Sequence, residues 1–138
     1  MPDTTPPTIA ITRTPTTPWS SETSAITFLL SEPSSNFELS DVFVSGGTLS
    51  SFSGSGATYT AIFTPAAGVR LVAEIRVENN TFTDAAGNNN ADGDDGDNSV
   101  TIGVNTTRPT LSMDADKKLI KLGGTALITI TLSQSSNT

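Results

Sequence analysis

The stretch SAITFLLS, residues 24–31, decides the fold class because every second residue from Ile26 to Leu30 is large and apolar. Successive side chains of a β-strand point to opposite faces, so Ile26, Phe28 and Leu30 share one face of an extended chain. An alternation of this kind is typical of a strand with one face in a core. The pattern therefore predicts a half-buried β-strand.

A related stretch, ALITITLS at residues 126–133, tests the assignment of the inward face. Its apolar positions match those of the first stretch, whereas Thr131 stands where the first stretch has Leu29. A position that accepts threonine in one copy and leucine in the other is not restricted to a core. We therefore expect Leu29 to point outward or to be half covered.

A second pair of stretches shows the same spacing in the chain. DTTPPTIAI (residues 3–11) and NTTRPTLSM (residues 105–113) are offset by 102 residues, as are the two apolar stretches, and no gap is needed. Self-similarity at a fixed period indicates a tandem array. The sequence predicts one complete repeat over residues 1–104 and the start of the next, a linker and two strands, over residues 105–138.

Other short runs with the strand pattern follow along the first repeat, separated by clusters of Gly, Ser, Asn and Pro. Their letters are TIAIT, DVFV, TLSSF, ATYTAIFT, RLVAEIRVEN and SVTIGVN. None of them places a charged side chain on its apolar face. About seven short strands with such turns predict an all-β fold, a two-layer antiparallel β-sandwich.

Composition excludes several classes of protein. The 138 residues contain no cysteine and no histidine, and the formal net charge is −7. No disulfide framework is available, and the commonest general base and transition-metal ligand is absent. The acidic balance argues against nucleic-acid binding, and no apolar run approaches the length of a membrane span. The glutamates fall on loops or outward strand positions, so we do not expect an enzyme.

The motifs LSEP, SDVFVSGG, YTAIFTP and FTDAAGN occur in this order over residues 30–88. With the DTTPPTI opening, this order resembles the bacterial immunoglobulin-like repeats of large repetitive surface adhesins. The resemblance implies an immunoglobulin-like sandwich, export to the bacterial surface, and calcium ions that stiffen the junctions between domains. The chain departs from the pattern at the second junction, where Asn105 and Arg108 replace Asp3 and Pro6.

Two calcium sites are conceivable, because Ca²⁺ binds carboxylate, carbonyl and amide oxygens. One would use Asp84 and Asn88 of the DAAGN motif, with Asp3 or the linker at Asn105. The other would lie in the loop ADGDDGDN. Its carboxylates are Asp92, Asp94, Asp95 and Asp97. Glycines between them would let several oxygens converge. The alternative is a solvated Asp/Asn/Gly loop, since these residues favour turns for backbone reasons alone.

Three further features lie outside the strands. TTPPT and TTRPT are stiff, extended segments, which predicts semi-rigid linkers between neighbouring repeats. The tail 105–138 cannot bury its own apolar face, so we expect it either to be disordered or to pair with the sheet of another molecule and form a dimer. Trp19 either plugs the end of the sandwich or serves as a platform for a sugar; we favour the plug.

These observations favour a structural module, a spacer repeat of a bacterial surface or secreted adhesin whose partners are the neighbouring repeats of its own chain. We expect it to be extracellular, with calcium as the one cofactor to test. Two alternatives are a module that binds a carbohydrate or a host protein, and an accessory domain of an extracellular hydrolase.

Overall fold

The computed structural model describes residues 1–17, 19–92 and 96–109, together with the backbone of two strands farther along the chain. The strands are β1 (Ile9–Thr14), β2 (Ser24–Ser34), β3 (Val42–Val44), β4 (Gly47–Pro65), β5 (Arg70–Val77), β6 (Ser99–Asn105), β7 (Leu111–Ala115) and β8 (Ile128–Leu132). One short 3₁₀ helix (Leu39–Asp41) precedes β3. The chain divides into two compact units, Met1–Thr106 and Thr107–Thr138.

The first unit consists of two antiparallel sheets. Sheet A has the strand order β1-β2-β4, and sheet B has the order β3-β5-β6. In sheet A, Ile9 faces Leu30 and Ile26 faces Ala61. In sheet B, Ile75 faces Val100.

Strand β4 is long because it doubles back on itself. The Ser50 hydroxyl donates to the carbonyl of Ile62, and the hydroxyls of Ser53 and Thr60 lie 3.4 Å apart, so the first half of β4 lies beside the second. The bend requires Gly54, whose φ is +142° and where a Cβ would collide with the backbone of Thr58.

Counting the two arms of β4 separately gives seven strands, with four in sheet A and three in sheet B. This is the arrangement of a constant-type immunoglobulin sandwich, with the first, second, fifth and fourth strands in one sheet and the third, sixth and seventh in the other. The prediction of an all-β, immunoglobulin-like antiparallel sandwich is confirmed.

The core lies between the two sheets, and most of it is formed by the alternating strand positions that the sequence marks as apolar. The buried apolar residues are Ile9, Ile11, Ile26, Phe28, Leu30, Phe37, Val42, Tyr59, Ala61, Phe63, Ala73, Ile75, Val77, Phe82, Ile102 and Val104. Leu29, by contrast, is 54% exposed, as its replacement by threonine in the second copy predicts.

An aromatic cluster fills one end of the core. Phe37 is at its centre, with ring centroids 5.0–5.7 Å from those of Phe28, Phe52, Tyr59 and Phe82. Edge-to-face pairs of this kind add to the stabilisation from burial alone. Phe37 and Phe82 lie in loops outside the alternating runs, so the strand pattern does not predict their burial.

The free edge of β1 is covered by the segment that precedes β6. The amide of Ile9 donates to Oδ1 of Asp92 at 2.7 Å, and the amide of Ile11 donates to the carbonyl of Asp97 at 2.8 Å. Ala91 in turn donates its amide to the carbonyl of Pro7. Because these backbone groups are occupied, β1 does not offer them to a strand of another chain.

The second unit contains the antiparallel pair β7–β8 among its described residues. Leu111 faces Leu132 and Ala115 faces Ile128. In the first unit, Ile9 faces Leu30 and Arg13 faces Ile26, so each pairing of β7–β8 is the corresponding pairing of β1–β2 moved by 102 residues. The remainder of the tail lies outside the described residues, and its predicted disorder or pairing stays a prediction.

Replacement of Phe37 by alanine should lower the free energy of unfolding by about 3–5 kcal/mol, because it leaves a cavity among four aromatic rings. The matched control is Phe43→Ala. Phe43 is 42% exposed, and its ring contacts the guanidinium of Arg76 at 4.1 Å. The Phe43→Ala substitution should lower the free energy of unfolding by about 1 kcal/mol or less. Urea unfolding followed by far-UV circular dichroism measures both, and equal losses would contradict the assigned core.

Candidate functional site

Three carboxylates meet at one end of the first unit. Asp3, Glu32 and Asp84 each offer an oxygen within 4.8 Å of the others, and we call this group the acidic triad. Asp3 lies in the linker before β1, Glu32 near the end of β2, and Asp84 in the turn after the buried Phe82. Among the residues that the structure describes, this is the group of acidic side chains arranged closely enough to hold a metal ion.

The DAAGN motif positions Asp84. The backbone amide of Asn88 donates to Oδ1 of Asp84 at 2.9 Å, and the Asn88 side chain donates to Oδ2 at 2.8 Å. The side-chain nitrogen Nδ2 of Asn88 also donates to the carbonyl oxygen of Asp3 at 3.3 Å. Asn88 therefore ties the linker and the turn together, so Asp3 is held beside Asp84.

The other two carboxylates are less restrained. Oδ1 of Asp3 accepts the backbone amide of Thr5 at 2.9 Å, a short Asx turn within the linker. Glu32 lies between Leu29 and Ser34, where the pairing of β2 with β4 shifts register. The alternation of β2 continues through this shift, so Glu32 lies in phase with the buried Phe28 and Leu30 and is itself half-buried.

The local environment shifts the pKa values of the three carboxyl groups in different directions. Desolvation and the neighbouring charge of Asp3 raise the pKa of Glu32. The backbone hydrogen bond from Thr5 lowers the pKa of Asp3. Burial alone would raise the pKa of Asp84, but hydrogen bonds from Asn88, Ala86 and Gly87 outweigh it and hold that pKa below its ordinary value. Glu32 is therefore the carboxyl of the triad that takes up a proton first.

The structure brings together three of the residues singled out in the sequence, Asp3, Asp84 and Asn88. The sequence reasoning did not include Glu32. The sequence does contain a clue to its role. With the offset of 102 residues, Glu32 corresponds to Gln134 in the second copy, and Asp3 corresponds to Asn105. In the second copy, both of these carboxylates are therefore replaced by the amide side chain of the same shape.

The acidic loop has a different character at its described positions. Asp92 is 5% exposed, and Oδ1 accepts the amide of Ile9 at the edge of β1. Its own amide donates to the side chain of Asn79. Asp97 is exposed and its carbonyl accepts the amide of Ile11. Asp94 and Asp95 lie outside the described residues.

Trp19 does not plug the sandwich. It is 42% exposed, and the guanidinium of Arg70 lies over its ring at 4.9 Å from the centroid. The neighbouring Ser20 holds this segment beside β6, since its amide donates to the carbonyl of Gly103 and its carbonyl accepts the amide of Asn105. The side chain therefore lies on the surface of sheet B rather than in the core.

The acidic triad offers oxygen ligands of the kind that hard divalent cations prefer. A separate open cleft of about 460 Å³ is lined by serine, glycine and aromatic residues, among them Phe52 and Tyr59. The hydroxyl of Tyr59 donates to the carbonyl of Ser34. The described residues that line this cleft include no carboxylate and no basic side chain.

Comparison with known proteins agrees with this architecture. Residues 3–103 match the model of a family described as a bacterial Ig-like domain. No curated protein and no solved structure matches the chain significantly. Within the described residues, no helix is long and apolar enough to cross a membrane. The matched segment covers most of the chain and coincides with the closed sandwich, and the chain therefore belongs to the bacterial Ig-like domain family.

Proposed function

We propose that the chain is a spacer segment of a bacterial surface or secreted adhesin, exported from the cell and serving to hold a distal part of the protein away from its surface. The observation that carries the proposal is the repeated pairing of strands. Five of the six β1–β2 pairs recur at β7–β8 with both partners moved by 102 residues, directly after a sandwich with its own core. Such an array lengthens with each copy, and every copy repeats the same fold and the same contacts with its neighbours.

The linker suits a spacer because it is stiff and attached to the domain. Proline restricts φ and favours an extended residue before it, so the TTPPT segment resists bending. Pro7 is buried and its carbonyl accepts the amide of Ala91, while the side chain of Asn88 binds the carbonyl of Asp3. The linker is thus anchored at two points to the domain that follows it.

Arrays of one, two and three copies of residues 3–104 should test the spacer function directly. We expect the maximum dimension from small-angle X-ray scattering to rise by a constant increment of roughly 40 Å per copy, about the length of an 11-residue strand with its adjoining turn. Copies that fold back on one another would give increments that shrink with copy number, and this result would contradict a spacer.

Calcium at the acidic triad is the second part of the proposal. Three carboxylates crowd together where the linker enters the domain, and mutual repulsion disfavours this arrangement unless a cation offsets it. The residues fit calcium by chemistry, since all three supply oxygen and the carbonyl of Asp3 is close by. The paired replacement by Asn105 and Gln134 in the second copy supports the view that Asp3 and Glu32 act as a unit.

Calcium should therefore raise the melting temperature of the chain. A ligand present at a hundred times its Kd stabilises the folded state by about 2.7 kcal/mol, which corresponds to roughly 13 °C for a domain of about 100 residues. The double variant Asp3→Asn, Glu32→Gln reproduces the residues of the second copy and should abolish this rise. Glu22→Gln, before the opposite end of β2, should retain it. Calorimetry with calcium and with a chelator measures all three; an unchanged rise in the double variant would exclude the triad.

The effect of calcium should also depend on pH, with a predictable sign. The pKa of Glu32 is raised above its ordinary value of 4.5, so Glu32 gains a proton before the other two carboxyls as pH falls. Calcium binding requires the ionised form, so the rise in melting temperature should shrink as the pH falls from 7 through the raised pKa of Glu32. The pKa values of Asp3 and Asp84 are lowered, so the stability that their hydrogen bonds contribute is lost only below the ordinary value of 3.8.

Calorimetry of metal-free protein, with and without added calcium, at several pH values tests this order of protonation. In Glu32→Gln the difference between the two conditions should be small at every pH. A rise that persists unchanged below pH 4.5 in the unmodified chain would show that calcium binds without Glu32.

A further inference from the structure

The outer face of sheet A carries no ionisable side chain at its described positions. Every second residue of three strands points outward there, over residues 10–14, 25–29 and 58–64, and all of them are alanine, threonine, leucine or isoleucine. The outer face of sheet B differs, because it carries Arg76 in salt bridges with Glu74 and Glu78 at 3.0 and 2.9 Å. We call the former surface the neutral face.

The neutral face is ordered into rows by the strand register. Thr12 faces Thr27, Thr27 faces Thr60, and the hydroxyl of Ser53 lies 3.4 Å from that of Thr60, so one row of hydroxyls crosses four strands. Leu29 and Ile62 flank the row and are 54% and 36% exposed. Methyl groups and hydroxyls that can both donate and accept suit contact with another uncharged sheet.

The charge of the rest of the unit determines what can lie on this face. Residues 1–106 contain twelve carboxylates and three arginines, so two copies repel one another over most of their surfaces. A cationic partner would find no carboxylate on the neutral face, and an anionic partner would find no cation. A second copy that presents the same face avoids both the repulsion and the burial of an unpaired charge.

We propose that the neutral face is a self-association surface, on which two copies of this chain pack sheet A against sheet A with two-fold symmetry. This role goes beyond that of a spacer, since it joins neighbouring molecules side by side. It does not depend on calcium, because the acidic triad lies at the end of the unit and not on this face.

The size of the face determines the strength of the contact. Four strands about 4.8 Å apart and about 20 Å long cover roughly 400 Å² per copy. Stable complexes bury about 800 Å² per partner, so one pair of repeats associates only weakly, with a Kd on the order of 1 mM. Parallel arrays hold successive repeats at high effective concentration, and many weak contacts then act together.

A dilution series of the 138-residue chain, followed by ¹H–¹⁵N NMR from about 50 µM to about 1 mM, tests the proposal. We expect shift changes that cluster in residues 10–14, 25–29 and 58–64. Higher salt should strengthen the association, because it screens the repulsion between acidic copies while leaving the neutral contact intact. Absence of concentration-dependent shifts, or shifts confined to β7 and β8, would overturn the proposal.

Two matched variants locate the contact. Leu29→Glu and Val72→Glu each place a carboxylate at an exposed aliphatic position in mid-strand, 54% and 60% exposed, on sheet A and sheet B respectively. Leu29→Glu should raise the Kd at least about tenfold, and Val72→Glu should leave it within about twofold, since only the first brings like charges together across the two-fold axis.

Equal weakening by both variants would assign the effect to net charge and overturn the proposal. Thr60→Glu provides a second change on the neutral face should Leu29→Glu fail to fold, and it should also raise the Kd about tenfold. A neutral glycan that shifts the same residues in a chain showing no self-association would assign the face to carbohydrate and likewise overturn the proposal.

Discussion

The structure of the first unit depends on the burial of two sheet faces against each other without any covalent bridge. The chain has no cysteine, and its buried core consists of apolar side chains from both sheets with an aromatic cluster around Phe37 at one end. Packing of this kind tolerates little change in volume. It also holds the ends of the strands in place, and the surface features of the unit follow from those positions.

The loop after β5 is held by polar groups that are buried and mostly paired. Asn90 is fully buried, and its side chain accepts the amides of Thr81 and Phe82 and donates to the carbonyl of Glu78. These bonds satisfy backbone groups of the loop that would pair with a neighbouring strand in a sheet. They fix the segment that leads to Asp84, so the acidic triad sits on a rigid support although it is built from loops.

The sequence predicts the strands and two of the three carboxylates of the acidic triad, and a physical property of strands explains this limit. Alternation with a period of two identifies inward residues such as Ile26 and outward residues such as Leu29, wherever a strand is regular. It fails where regularity ends. Phe82 is buried from a loop, and Glu32 is a charged residue at an inward position near the end of β2, just past the apolar run. The linker and DAAGN motifs indicated Asp3 and Asp84, but only the fold shows that Glu32 joins them.

The distribution of charge separates the two kinds of contact that a repeat can make. Carboxylates gather at the end where the linker enters and in the loop before β6, whereas the flank of sheet A has none among its described residues. In the array proposed above, neighbours along one chain would meet at the ends of the sandwich, where a divalent cation would offset the crowded charge. In the self-association proposed above, copies in different chains would meet at the neutral face, where a charge would have to be buried or repelled. Under these two proposals, ions stiffen one acidic domain along its own array while an uncharged sheet contacts a parallel array, and the two contacts use different surfaces.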